Sequence, residues 1–486
     1  MKKMNLLVMS LVSAAAFSFS SCSSNDDLTG GAGNQSKVEG FYMTLAVQTP
    51  TSNGTRTQQQ NETVEASKDE SKVTSGTFYL VNAQGKIVFT KNITETEWLN
   101  AAPVLTNTGK TQIQVPVQNV TAGETYKVYF LANTTDAKPW ENIFAPTAEK
   151  FTATNKFDAG YATANNFVMF NQNDKTSKAD KYTVKFEAAN KDITNPAKVT
   201  ETIMLDRVTA RIDKPTSETT TINGELAADA SDLQKKAVAD AKAKVKSITL
   251  TKYAITNLSN KTNIMQQWDA EWNALQIPTG ITYIQPQANL GGKYDLKNPE
   301  WFTDAAKNNY VFENTAETTP TTMYFEYTVA LDENIFTDTP DCTDGTFYRY
   351  NGNIYRSIAA IYAAYADQPV LFGGKTAEAL KAELKITADG KIGATETELA
   401  KFREDNVIEV FREGKTYYSQ VITDKWLGTN TIQRNTVYRL NVKNIFNVGA
   451  DVPNGEPDEN KPMYYLDVEV SVNPWVLSTQ DVNLGE

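Results

Sequence analysis

Histidine is absent from the 486-residue sequence, and its absence limits the chemistry that the chain can perform. Without it there is no Ser-His-Asp or Cys-His triad and no His-ligated zinc or haem. The Gly-Gly-Lys-Thr run at 373–376 lacks the Gly-x4-Gly-Lys spacing of a phosphate loop, and the acidic run 332–345 lacks the spacing of an EF-hand. Carboxylates and tyrosines remain, but no motif arranges them for catalysis. The sequence therefore predicts a protein that is not an enzyme and has no catalytic residue, cofactor or metal site.

The two cysteines, Cys22 and Cys342, have different expected roles. Residues 1–22 read MKKMNLLVMSLVSAAAFSFSSC, with two lysines followed by an apolar run too short to be an ordinary membrane span. The end of this stretch resembles a bacterial lipobox. We therefore expect 1–21 to be a lipoprotein signal peptide and Cys22 to carry acyl chains such as palmitate, although an ordinary secretory signal remains an alternative. Cys342 is left without a partner and is expected to be a small, partly buried residue.

The overall composition indicates a folded chain that does not bind nucleic acid. Aromatic residues make up 10% of the sequence, which is enough for hydrophobic cores, and the length suggests about two to four domains. The net charge is −11, whereas binding to phosphate backbones requires a basic face.

Apolar and polar residues mostly alternate with a period of two, which indicates β-strands separated by turns. A polar stretch, 215–230, is interpreted as a linker and is followed by a predicted helix over 231–246; the segment 262–276 is expected to be a short helix or a loop. We predict a mainly β fold of two Greek-key, transthyretin-like β-sandwich domains, 57–215 and 216–486, with a few short helices. The first predicted strand, within 38–48, has alternating apolar residues: Phe41, Met43, Leu45 and Val47.

A single arginine follows this first strand. Arg56 lies in the polar segment GTRTQQQ, and the next arginine in the chain is Arg207. An arginine-specific protease acting on exposed, irregular backbone would find one cleavage site in the chain before Arg207. The long gap is also compatible with chance, because arginine is scarce in this sequence. We interpret the Arg56–Thr57 bond as a candidate processing site.

Several segments, taken in order, resemble the fimbrillin family, the shaft subunits of type V pili. They are the lipobox with its acidic continuation, the first strand with Thr-Arg-Thr behind it, VTAGETYKVYFLAN (120–133), NNFVMFNQ (165–172), LDRVTARID (205–213), RNTVYRLNVKNIFNVG (434–449) and VEVSVNPWVLSTQDVNL (468–484). The resemblance covers most of the chain and keeps the order of the family.

The resemblance implies a mechanism of assembly. A precursor lipidated at Cys22 reaches the outer membrane, and an arginine-specific surface protease of the gingipain kind cuts between Arg56 and Thr57. The propeptide 22–56, which contains the first strand, then leaves, and a strand from the carboxy terminus of another copy fills the groove. Pro474 is expected to end the preceding strand, so that a tail is free to act as the donor. The candidate donor residues are Trp475, Val476, Leu477, Val482 and Leu484.

The partners implied by this resemblance are other copies of the chain in a head-to-tail extracellular fimbrium, accessory tip and anchor pilins, and host or bacterial surface receptors for adhesion. Two alternatives remain open from the residues alone. One is a monomeric surface lipoprotein that binds glycan or host protein through exposed aromatic side chains. The other is a surface hydrolase that uses carboxylates.

Overall fold

The structure is a computed structural model that describes residues 40–49, 64–99, 110–133, 161–175, 177–215, 219–284, 308–368, 370–424, 427–453 and 466–477. Its strands, in chain order, are β1 (Phe41–Gln48), β2 (Val64–Ala66), β3 (Gly76–Val81), β4 (Ile87–Ile93), β5 (Lys110–Val117), β6 (Thr125–Ala132), β7 (Ala162–Thr163), β8 (Asn166–Phe167), β9 (Met169–Asn171), β10 (Thr183–Lys185), β11 (Ala197–Lys198), β12 (Ile203–Arg207), β13 (Ala210–Ile212), β14 (Thr219–Thr220), β15 (Val245–Thr256), β16 (Leu258–Ser259), β17 (Gln267–Trp268), β18 (Leu275–Gln276), β19 (Tyr283–Ile284), β20 (Asn309–Val311), β21 (Thr322–Leu331), β22 (Phe347–Tyr350), β23 (Asn353–Tyr355), β24 (Glu409–Phe411), β25 (Lys415–Val421), β26 (Thr436–Ile445) and β27 (Leu466–Leu477). The helices are α1 (Lys68–Ser71), α2 (Glu95–Leu99), α3 (Asp232–Lys244), α4 (Ile358–Ala364), α5 (Ala377–Leu384) and α6 (Glu396–Asn406).

The first half of the chain forms a nine-stranded sheet in which β12, β9 and β6 are central. On one face, side chains of β1, β3, β5 and β6 meet in a core that includes Leu80 of β3 and Phe130 of β6. Residues of the opposite parity, Tyr79 and Leu131 among them, pack in a second core with Ile264 and Phe312 from the second half. Because both faces are covered, β3 is buried along its whole length and does not alternate between core and solvent.

The second half is built on two further sheets that enclose a separate core. One has five strands in the order β2-β27-β26-β13-β20, and the other has four in the order β14-β15-β21-β25. Apolar side chains from both sheets, including Ile212, Tyr253, Phe325 and Leu440, pack together between them. The segment LDRVTARID (205–213) is divided between two sheets: β12 pairs in the nine-stranded sheet, whereas β13 pairs with β26 and β20.

Helices α4, α5 and α6 pack with β22, β23 and β24 around a small core of their own. Cys342 lies in this core with 3% of its surface exposed, and burial raises the pKa of its thiol to about 11. The cysteine is thus more deeply buried than expected and is a poor nucleophile near neutral pH. Ile358 and Ile361 lie on α4 and are fully buried.

Helix α3 lies within the range predicted for it. Ser231 and Gln234 form a capping box at its start, and Ala237, Val238 and Ala241 form its buried side. Segment 262–276 forms no helix and is a loop apart from β17 and β18, which pair as a short antiparallel hairpin. None of the helices in the described ranges has the length and apolar character needed to cross a membrane.

The mainly β fold with a few short helices is confirmed. The division into 57–215 and 216–486, and the Greek-key, transthyretin-like type of the two sandwiches, stay predictions.

Candidate functional site

Strand β1, the predicted excisable strand, is hydrogen-bonded on both of its edges. Strand β5 runs antiparallel to it along its whole length, from Phe41 opposite Val117 to Gln48 opposite Lys110. On the other edge, β11 and then β12 run parallel to it, with Met43 opposite Ala197 and Val47 opposite Ile203. An inner strand in this position satisfies the backbone groups of three neighbours at once.

The four alternating apolar residues of β1 are core residues, as their period of two predicts. Phe41, Met43, Leu45 and Val47 are exposed by 6%, 0%, 0% and 1%, respectively. The ring of Phe41 meets the ring of Phe186 edge to face at 5.5 Å between centroids. Without β1, the structure would have an open slot in its first core, flanked by the unpaired edges of β5, β11 and β12.

The predicted processing and lipidation residues lie outside the described residues. They are Cys22, Arg56 and Thr57. Their sequence positions nevertheless relate to the fold, since the Arg56–Thr57 bond falls between β1, which ends at Gln48, and β2, which begins at Val64.

The carboxy-terminal strand β27 does not end where the sequence predicted. It pairs with β26 from Leu466 opposite Ile445 to Pro474 opposite Thr436 and continues to Leu477. The expectation that Pro474 ends the strand was therefore wrong. A proline is tolerated in a strand where its nitrogen is not needed as a donor, and the ladder on the other edge of β27 begins only at the next residue, Trp475.

The first three candidate donor residues pair with the segment that follows the candidate processing site. Trp475, Val476 and Leu477 run parallel to β2, opposite Val64, Glu65 and Ala66. The other two candidates, Val482 and Leu484, lie outside the described residues. The structure does not bring the excisable and donor residues together, because β1 belongs to the nine-stranded sheet and β27 to the five-stranded sheet.

A buried ionic cluster around Glu70 anchors the chain just after β2, and sequence reasoning missed it. Arg211 Nη1 lies 3.0 Å from Glu70 Oε1, and the Tyr310 hydroxyl donates to the same oxygen at 2.7 Å. Arg207 Nε donates to the Glu70 carbonyl oxygen at 2.8 Å, and its Nη1 donates to Asn435 Oδ1 at 2.8 Å. A signal was present: the charged residues Asp206, Arg207 and Arg211 interrupt the mostly apolar run from 203 to 212.

The electrostatics of this cluster favour the charged form of Glu70. Burial alone would raise its pKa, but the positive charge of Arg211 and hydrogen bonds from the Ser67 N–H, the Tyr310 hydroxyl and Arg211 lower it below the ordinary value of 4.5. For Arg211, the opposing burial effect is outweighed by Asp213 and Glu70, and its pKa is raised. Helix α1 is thus fixed to β12, β13 and β20 by a buried charged network.

Two family models match the chain, at its two ends. Residues 42–207 match the model described as Major fimbrial subunit protein (FimA), and residues 409–481 match the model described as Major fimbrial subunit protein type IV, Fimbrillin, C-terminal. Both ends of the chain are therefore similar to fimbrial subunit families, in the order that the sequence resemblance implies. The first match contains nearly all of β1, and the second contains β27.

Solved structures with distant similarity come from Parabacteroides distasonis ATCC 8503. The chain is similar to a candidate cell adhesion protein, with 14% identity and a TM-score of 0.41 over 91% of this chain and 99% of the other. It is also similar to a fimbrial assembly protein, with 14% identity and a TM-score of 0.31 over 60% of this chain and 82% of the other. The comparison with curated proteins finds no match.

These two matches indicate the general role of the chain. The matched models describe major fimbrial subunits, and they support a structural role at the cell surface in a polymer with other pilus subunits.

Proposed function

We propose that the chain is a shaft subunit of a type V pilus that polymerises by protease-triggered donor-strand exchange. The precursor is lipidated at Cys22 and held in the outer membrane. Cleavage between Arg56 and Thr57 separates β1 from the rest of the chain, and the carboxy-terminal tail of another copy takes its place.

The position of β1 is the observation that supports this proposal most strongly. The strand is at the beginning of the described chain, yet it is paired on both edges and its four apolar side chains lie in the core. Each of these side chains contributes roughly 1.5–3 kcal/mol by burial. A vacant slot would expose this apolar surface and leave backbone groups of β5, β11 and β12 unpaired. Binding of a replacement strand by the cleaved subunit is therefore thermodynamically favoured.

The tail beyond β26 supplies that replacement. The ladder between β26 and β27 stops at Pro474, opposite Thr436. Among the described residues, those after Pro474 pair only with the short strand β2. The apolar candidates Trp475, Val476, Leu477, Val482 and Leu484 provide the side chains that a core slot requires. A tail that leaves its own subunit makes a head-to-tail contact that does not close, so the product is a filament. Accessory tip and anchor pilins would end that filament, and surface receptors would bind it.

Digestion of the purified precursor with an arginine-specific protease tests the proposal. We expect cleavage after Arg56, which removes the propeptide 22–56, followed by a ladder of oligomers on a gel run without boiling. Arg56→Ala should leave the precursor uncut at this position and monomeric. Deletion of residues 477–486 should permit cleavage but prevent the ladder. Ladders that form equally well without these residues would exclude the tail as the donor.

The alternative is a monomeric surface lipoprotein that binds glycan or host protein. An aromatic cleft, described below, is the observation in its favour. Under this alternative the protease would trim the chain and leave it monomeric, which the same gel distinguishes.

A further inference from the structure

A cleft of about 450 Å³ lies between the two halves of the chain, away from β1. One wall is formed by the β3–β4 turn around Asn82 and by Lys127 and Tyr129 of β6. The other wall is formed by Met265 and the β17–β18 hairpin. In the order of the nine-stranded sheet, β12, β9 and β6 separate β1 from β3, so the cleft is remote from the slot that strand exchange would open.

Two tryptophans of the hairpin line the cleft, and one of them is rigidly held. Trp268 Nε1 donates to the carbonyl oxygen of Asn173 at 2.8 Å. Asn173 is buried, and its side chain donates to Gln266 O at 2.7 Å and accepts from Ala179 N at 2.9 Å. The indole of Trp268 is therefore fixed by a hydrogen-bonded link between the two halves of the chain.

The second tryptophan is held in an unfavourable backbone conformation. Trp272 lies near the tip of the hairpin with a φ of 59°, in the left-handed region that favours glycine and asparagine. The turn that holds it is closed by hydrogen bonds from Trp272 N to Asp269 O at 3.1 Å and from Asn273 N to Asp269 Oδ1 at 2.6 Å. A bulky side chain in this conformation costs free energy, and strain of this kind clusters at functional sites without by itself defining one.

Charged groups surround the aromatic surface. Lys178 Nζ lies 4.9 Å from the centroid of the Trp272 ring, and Lys127 forms an ion pair with Asp180 at 3.0 Å. The side chains of this pair are 44% and 52% exposed, so both remain accessible to a ligand in the cleft. Aromatic faces combined with exposed donors and acceptors match a sugar, which has apolar C–H faces and a rim of hydroxyl groups.

We propose that this cleft binds an oligosaccharide, with Trp268 and Trp272 as the platform for about one or two sugar rings. Lys127, Lys178 and Asp180 contact its hydroxyl or acidic groups. The proposal rests on the adhesive part of the proposed function and identifies its ligand class. It is independent of strand exchange, because the cleft shares no residue with β1 or β27.

An oligosaccharide array followed by fluorescence titration tests this proposal. The purified protein is applied to printed neutral and acidic oligosaccharides, and the one that binds is titrated against tryptophan fluorescence. Trp272→Gly should weaken binding by about tenfold or more. Glycine also suits the left-handed backbone, so the melting temperature should not fall and lost binding cannot be attributed to unfolding. Trp272→Phe should retain most of the affinity, because it keeps an aromatic face.

Phe372, which lies between helices α4 and α5, offers a matched control. It is an aromatic residue that also has a left-handed φ, of 49°. Phe372→Gly should leave binding unchanged. Failure of the wild-type protein to bind any oligosaccharide, or full binding by Trp272→Gly, would overturn the proposal. The ladder assay run on the same variants separates the two hypotheses. A protein that polymerises but binds no sugar contradicts only the cleft, and one that binds sugar but does not polymerise contradicts only strand exchange.

Discussion

At the scale of single residues, Glu70 links the segment next to the candidate processing site with the rest of the fold. Its carboxylate binds Arg211 and Tyr310, and its carbonyl oxygen accepts from Arg207. These partners come from β13, β20 and β12, so one short helix is joined to strands from two sheets. We infer that this cluster keeps α1 in place when the chain before it is removed.

Replacing this carboxylate should destabilise the protein in a pH-dependent way. Glu70→Gln is expected to lower the free energy of unfolding by about 1.5–3 kcal/mol at neutral pH, because a charge-assisted bond to Arg211 is lost. The folded-state pKa of Glu70 is lowered from its ordinary value of 4.5. The wild-type advantage is therefore complete above that value and disappears as the pH falls through the lowered pKa. Urea unfolding of the wild type and of Glu70→Gln, from about pH 7 to about pH 3, measures this difference in the free energy of unfolding.

Glu225 provides the control for this experiment. It pairs with Lys242 at 2.7 Å on the surface, and its side chain is 88% exposed. Glu225→Gln should change stability little at any pH, because solvent screens an exposed pair. A loss for Glu70→Gln that did not depend on pH would contradict the ionic role of the cluster.

At the scale of elements, strand β1 should stabilise the precursor but not the filament. Leu45 is fully buried in the first core, so Leu45→Ala should destabilise the precursor by about 2–5 kcal/mol in urea unfolding. If β1 is replaced by a tail during assembly, residue 45 is absent from the filament. The temperature at which filaments dissociate in detergent should then be the same as for the wild type.

Leu80 of β3 is the matched control, because it is equally buried in the same core. Leu80→Ala should weaken both the precursor and the filament, since β3 stays in both. Filaments weakened as much by Leu45→Ala as by Leu80→Ala would mean that β1 is retained.

Elements with strong local signals could be predicted from the sequence. The alternation at Phe41, Met43, Leu45 and Val47 predicts a strand with one buried face, and the structure confirms it. The hairpin within 262–276 could not be predicted in this way. Its tryptophan is fixed by Asn173, a residue 95 positions earlier, and no local pattern reveals such a contact. Strand β27 likewise continues through Pro474 because distant partners, β26 and β2, define its ladders.

At the scale of the whole molecule, the order of segments carried more information than any single motif. Loose resemblances at 120–133, 205–213 and 434–449 together predict the fimbrillin family, and the family models at both ends of the chain confirm it. The pairing of β13 with β26 and of β2 with β27 joins segments more than 200 residues apart. Such pairings depend on tertiary packing, so they required the structure.

The central claim is that the chain's own first strand is absent from the assembled filament. The amino-terminal residue of protein recovered from sheared surface filaments tests it most directly, with mass spectrometry to search for the peptide 41–48 in the same sample. The account predicts that the subunits begin at Thr57 and that the peptide is missing. Subunits that begin at Cys22, or filaments that still contain the β1 peptide, would contradict it.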